Sequence, residues 1–101
     1  MSNTDLKPRT RTKPQIERPR LYKVILLNDD FTPRDFVVMV LKAVFRMNES
    51  ESLGVMLTAH KKGSCVVAVY TKELAETKAD DATGRGHQQG YPLRFTTEKE
   101  E

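Results

Sequence analysis

A chain of 101 residues has room for one domain with a modest core. Charged residues make up 31% and hydrophobic residues 38%, the balance of a small soluble α/β-type domain, and no run approaches the ~18 apolar residues of a membrane span. Cys65 is the single cysteine, which excludes an internal disulfide and favours a reducing, cytoplasmic home.

The net charge of +3 is unevenly spread. Residues 1–20 hold six Lys/Arg against two Asp/Glu, a net of +4, while the rest holds eleven against twelve, a net of −1. The pI of 9.1 therefore belongs to the leader, and the remainder lacks the basic footprint of a nucleic-acid reader. The leader also carries three of the five prolines and few large apolar side chains. Such a segment buries too little surface to offset its ordering entropy, so residues 1–20 read as a flexible basic arm. It is either a passive leader or an extended segment offered to a partner.

"LYKVILL", residues 21–27, is rich in β-formers and reads as a buried strand, stopped by the turn-forming Asn28, Asp29 and Asp30. Thr32 offers a helix cap, Pro33 suits the first helical position, and Asp35 could close a capping-box-like pair. Phe36, Val37, Val40, Leu41, Val44 and Phe45 then fall at helical spacing and form one apolar face. Asn48 with Glu51 three residues on starts a second helix, whose stripe is Leu53, Met56, Leu57 and His60 and whose stop is Gly63. "CVVAVY", residues 65–70, is apolar on both faces and is expected as the central strand, with Cys65 behaving as a small buried hydrophobe. Thr71 can cap a third helix through "KELAETKADDAT", whose inward Ala75, Ala79 and Ala82 suit close packing on a sheet. "GRGHQQGYP" reads as a polar loop, "LRFTT" (93–97) as a short last strand, and the end as charged. The order β-α-α-β-α-β predicts an α+β domain over residues 21–98: a small three-stranded antiparallel sheet with three helices packed on one face. Residues 99–101 make a charged C-terminal end.

Asn28, Asp29 and Asp30 stand where the first strand ends and the first helix begins. His60 closes the second helix, which packs beside the first because their connection is short. Val37, Met56 and Ala59 line the gap between them, so a small pocket with acceptors at its rim is expected. Three uses compete. Metal binding lacks paired histidines, a cysteine pair or a calcium loop. Enzyme chemistry lacks a nucleophile in a recognisable elbow and a phosphate-cradling glycine loop. A protonated amine asks for about three acceptors, which Asn28, Asp29 and His60 could supply; against it stands a plain Asx turn with a nearby histidine. The spacing leaves these last two open.

"YKVILLNDDFTPRDFV", "MLTAH", "AETKA" and "YPL…TTE" resemble bacterial ClpS, the substrate-recognition adaptor of the Clp AAA+ protease in the N-end rule pathway, over roughly residues 21–98. The resemblance implies binding without catalysis and without a cofactor or metal. Family members capture proteins, called N-degron substrates, whose first residue is Leu, Phe, Tyr or Trp. They dock on the amino-terminal domain of the ClpA unfoldase, which feeds the ClpP peptidase. By motif position Asn28, Asp29 and His60 match the residues that hold the α-amino group. Leu26, Thr32, Val37, Met56, Ala59 and Leu93 match the walls of the side-chain pocket, with Arg34 at its gate. Glu73 and Lys78 match the unfoldase-docking surface, and the arm matches the leader that engages the unfoldase. A monomer is the simplest expectation, with the chain in the cytoplasm and in contact with neither nucleic acid nor membrane. Departures stand beside the matches. The family usually has Met where Arg34 stands, Val where Ala59 stands and His where Tyr91 stands, and "CVVAV" replaces its usual "CGV". Arg34 over a ring could gain ~0.5–1 kcal/mol of cation–π attraction, which points to an aromatic-biased variant. The runner-up is a ribosome- or RNA-associated domain with a basic arm.

Overall fold

The computed structural model describes residues 18–101; residues 1–17, most of the expected arm, lie outside that range. The elements run β1 (Leu21–Leu27), α1 (Arg34–Phe45), α2 (Glu49–Lys62), β2 (Ser64–Thr71), α3 (Lys72–Gln88) and β3 (Arg94–Lys99). The three strands pair antiparallel in the order β2-β1-β3. The expected fold class is thus the observed one, with one rearrangement: the central strand is β1, and β2 lies at an edge. Its apolar residues on two faces do not signal a central place, because the helices cover one face of the sheet only. Val24 and Leu26 point into the core, while Val66 on the other face stays 47% exposed. Between Val24 and Ile25 the β1–β2 register skips Val67, a bulge that breaks up the edge.

Val37, Val38, Val40, Leu41, Val44 and Phe45 are the buried face of α1. The α1 cap differs from expectation. Pro33 occupies the N-cap position without a side-chain bond, and the Thr32 hydroxyl turns away to Asp29. The α2 cap is the expected box: Asn48 Oδ1 accepts from the Glu51 N–H at 2.8 Å and Glu51 Oε1 accepts from the Asn48 N–H at 3.0 Å. Along α2 the buried positions are Ser52, Met56 and Ala59, whereas Leu53 (38% exposed) and Leu57 (41%) face outward.

The third helix does not stop at Thr83. It continues through Gly84, Arg85, Gly86 and His87, because Ala75, Ala79, Ala82 and Gly86 form one buried stripe that tertiary packing holds helical. A Cβ at Gly86 would sit 2.7 Å from Leu93 Cβ, so the glycine there serves close approach rather than a turn. The turn itself comes at Gly90, with φ of 81°, and the Tyr91 N–H returns to the Gly86 carbonyl at 2.9 Å. The last strand begins one residue after Leu93 and extends through Glu98 into Lys99, where the Glu100 N–H reaches the Leu21 carbonyl at 2.9 Å.

Candidate functional site

At the C-terminal end of β1 the chain folds a cavity of about 290 Å³. That lies at the small end of ligand sites and suits one side chain better than a larger molecule. Its walls come from four places: Leu26 from β1, Val37 from α1, Met56 and Ala59 from α2, and Leu93 from the segment before β3. All five are core residues exposed by 8% or less, so the hollow is an opening into the core itself. Tyr91 packs edge-on against Phe36, ring centroids 4.9 Å apart, and with Gly86 behind it Leu93 is seated fully buried against the cavity.

The polar rim is built by a turn. Asp29 Oδ1 accepts from the Phe31 N–H at 2.8 Å and the Thr32 N–H at 2.7 Å, and Oδ2 accepts from the Thr32 hydroxyl at 2.9 Å. An ionised carboxylate has about four acceptor sites, so three are engaged in the turn and about one is left over on a residue that lines the cavity. Asp29 is thus a turn former and a source of negative charge at once. Gly63, left-handed at φ 94°, stops α2 by giving its N–H to Ala59. Its carbonyl takes the Asn28 N–H at 3.0 Å, which ties the turn to the end of α2 where His60 stands.

Every side chain expected at the amine corner and the pocket lines this one cavity: Asn28, Asp29, His60, Leu26, Thr32, Arg34, Val37, Met56, Ala59 and Leu93. Asp30, expected at the same corner but given no role in holding the amine, lines it too, and reasoning from sequence missed Leu27, Phe31 and Pro33. Phe31 is 79% exposed, and its place between two acidic residues and a threonine gives no periodic signal that could have marked it as a rim. Glu73 and Lys78 stand elsewhere. Glu73 lies in the first turn of α3, after Thr71, which pairs with Leu21 at the far end of β1. Lys78 is half-buried, its Nζ donating to the Val44 carbonyl at 2.8 Å. Arg34 Nη2 and His60 Nε2 lie 2.8 Å apart at the cavity. A second, larger hollow of about 650 Å³ runs between α1 and α2 past Met39 and Leu53; its carboxylates are Asp35 and Glu49, and Glu49 is paired with Lys42 at 2.7 Å.

Among the described residues no three His, Cys, Asp or Glu side chains gather to hold a metal ion, and no helix is long and apolar enough to cross a membrane. Cys65 is half-buried rather than buried as expected. Burial pushes its thiol above the ordinary range, and Lys62 pulls it partly back.

Residues 17–96 match the model of the ATP-dependent Clp protease adaptor protein ClpS. The chain belongs to the ClpS adaptor family. It is 63% identical over 103 residues to the ATP-dependent Clp protease adapter protein ClpS 1 of Rhodopseudomonas palustris, and 61% over 101 residues to ClpS 1 of Bradyrhizobium diazoefficiens. Each alignment covers both chains completely. A solved structure of Agrobacterium tumefaciens ClpS2 bound to L-phenylalaninamide matches with a TM-score of 0.81 and 61% identity, over 82% of this chain and 100% of that one. The relatives are named as adapters, and none of these names supports an RNA-associated role.

Proposed function

We propose that this ClpS-family chain grips proteins by their first residue, the bulky side chain in the cavity and the free ammonium at its rim. The carrying observation is that apolar walls and the acceptors Asn28, Asp29 and His60 meet at a single small hollow. The Agrobacterium relative bound to L-phenylalaninamide, a free amine with an aromatic side chain, supports the same reading. Asn28 and His60 accept from the ammonium together with the remaining lone pair of Asp29. Leu26, Val37, Met56, Ala59 and Leu93 enclose the side chain, Thr32 braces the turn, and Arg34 stands at the gate. The cargo is Phe, Tyr, Trp or Leu proteins, with an aromatic bias set by Arg34.

The chain hands this cargo to the ClpA unfoldase for degradation by ClpP, acting in the cytoplasm as a monomer and catalysing nothing itself. Glu73 and Lys78 serve docking, and the basic arm engages the unfoldase during delivery. Burying a Phe side chain contributes ~1.5–3 kcal/mol, and each charge-assisted bond to the amine ~1.5–3 kcal/mol. Association costs at least ~4 kcal/mol, so the buried side chain does not hold the cargo alone and the amine bonds are needed beside it.

Fluorescence anisotropy with a free-amine Phe peptide and its N-acetylated twin tests this directly. Acetylation removes the charge and two donors and is expected to cost at least about tenfold in affinity; His60→Ala should reduce binding of the free peptide only. Equal affinity for the two peptides would overturn the reading.

A further inference from the structure

The bond between Arg34 and His60 joins the first turn of α1 to the last turn of α2 at the cavity mouth. Both side chains are exposed, so packing does not force them together. A guanidinium has five donors and no acceptor. The 2.8 Å contact therefore makes His60 Nε2 the acceptor, with the proton of the neutral ring on Nδ1. Nε2 carries one lone pair, and an ammonium, also a donor without an acceptor, asks for that same lone pair. Two cations cannot share it.

We infer that Arg34 is a tethered rival of the cargo amine, holding His60 in the accepting tautomer and surrendering it more readily to cargo that gives the guanidinium a new partner. This rests on the reading of the cavity proposed above. Once displaced, Arg34 remains on the rim, with its stem able to lie over the pocket. An aromatic first residue presents a ring face to the guanidinium, a cation–π contact; an aliphatic one presents nothing comparable. The lost Arg34–His60 bond is thus offset for Phe and left uncompensated for Leu. Arg34 becomes a specificity-determining residue that acts through His60 rather than by bulk alone.

Calorimetric titration of L-leucinamide and L-phenylalaninamide into the wild type, Arg34→Met, His60→Ala and the double variant tests this. Arg34→Met is expected to raise leucinamide affinity about three- to tenfold and phenylalaninamide affinity by less than about twofold, narrowing the preference. In the His60→Ala background the leucinamide gain should vanish. Nitrogen-15 NMR of the peptide-free imidazole supplies a readout that a merely steric gate would not move: Nε2 unprotonated in the wild type, shifting towards the Nε2–H tautomer in Arg34→Met. Leucinamide affinity unchanged or lower in Arg34→Met, a gain that survives without His60, or a wild-type Nε2–H would each overturn the inference. If phenylalaninamide fails to bind even the wild type, the reading of the cavity fails first, and the rivalry with it.

Discussion

Asp29 shows how one side chain can serve both the fold and the proposed amine site. Three donors from Phe31 and Thr32 fix its carboxylate at a residue that also lines the cavity. Asp29→Ala should therefore cost both: about 1–3 kcal/mol of stability from the orphaned turn donors, seen as a lower melting midpoint, and affinity for free-amine peptides. Asp29→Asn keeps an acceptor and should retain more of the turn than of the binding. Cys65 and Tyr70 report on pH. Burial raises both above their ordinary values of 9.0 and 10.0, so the folded state holds these protons more tightly than the unfolded chain does. Their contribution is whole below the unfolded values and is lost as pH rises through the folded ones. Denaturant titrations should show stability declining above about pH 9, with Cys65→Ala removing the earlier part of the decline. At neutral pH the thiol should react slowly with alkylating reagents, as a protonated thiol does.

Among the elements, α3 carries the most telling pair of glycines. Gly84 and Gly86 look alike in sequence, two residues apart in a polar stretch. A Cβ at Gly84 meets nothing within 4 Å, whereas one at Gly86 meets the Leu93 side chain. Gly84→Ala should stabilise by up to ~1 kcal/mol through helix propensity, and Gly86→Ala should destabilise by about 1–3 kcal/mol through overpacking, both by thermal or denaturant melts. Because Leu93 is also a cavity wall, Gly86→Ala should weaken capture of Phe peptides as well, while Gly84→Ala leaves it intact. In the sequence the two glycines look like a loop, because their low helix propensity is a local property and Leu93 is a distant partner. By contrast the α2 start was legible, since Asn48 and Glu51 bond to each other's backbones across three residues and need no tertiary help. The stripe along α2 was half legible: Met56 turns inward, but Leu53 and Leu57 stay exposed, because α1 covers a narrower face than their hydrophobicity invites.

Over the whole molecule, the cavity and the first turn of α3 lie at opposite ends of the sheet, separated by the seven residues of β1, about 20 Å of strand. The proposed docking residues thus stand clear of the proposed cargo site. Glu73→Ala should weaken binding to the unfoldase amino-terminal domain with stability changed by less than ~0.5 kcal/mol. Lys78→Ala should lower both, since the Val44 carbonyl loses its partner, at ~0.5–1.5 kcal/mol. Pull-down beside a melting curve separates the two variants; equal melting points would remove the structural role of Lys78.

The sequence by itself determined the order of elements, the antiparallel α+β class, the α2 capping box and, through its resemblance, the residues around the cavity. Each of these is written in short-range pattern or in contiguous motif. Only the tertiary structure decided that β1 is central, that α3 runs through two glycines, that Phe31 stands at the rim and that Arg34 meets His60. Those outcomes depend on which surfaces arrive beside one another, and residues 26 positions apart, as Arg34 and His60 are, carry no local mark of the bond they make.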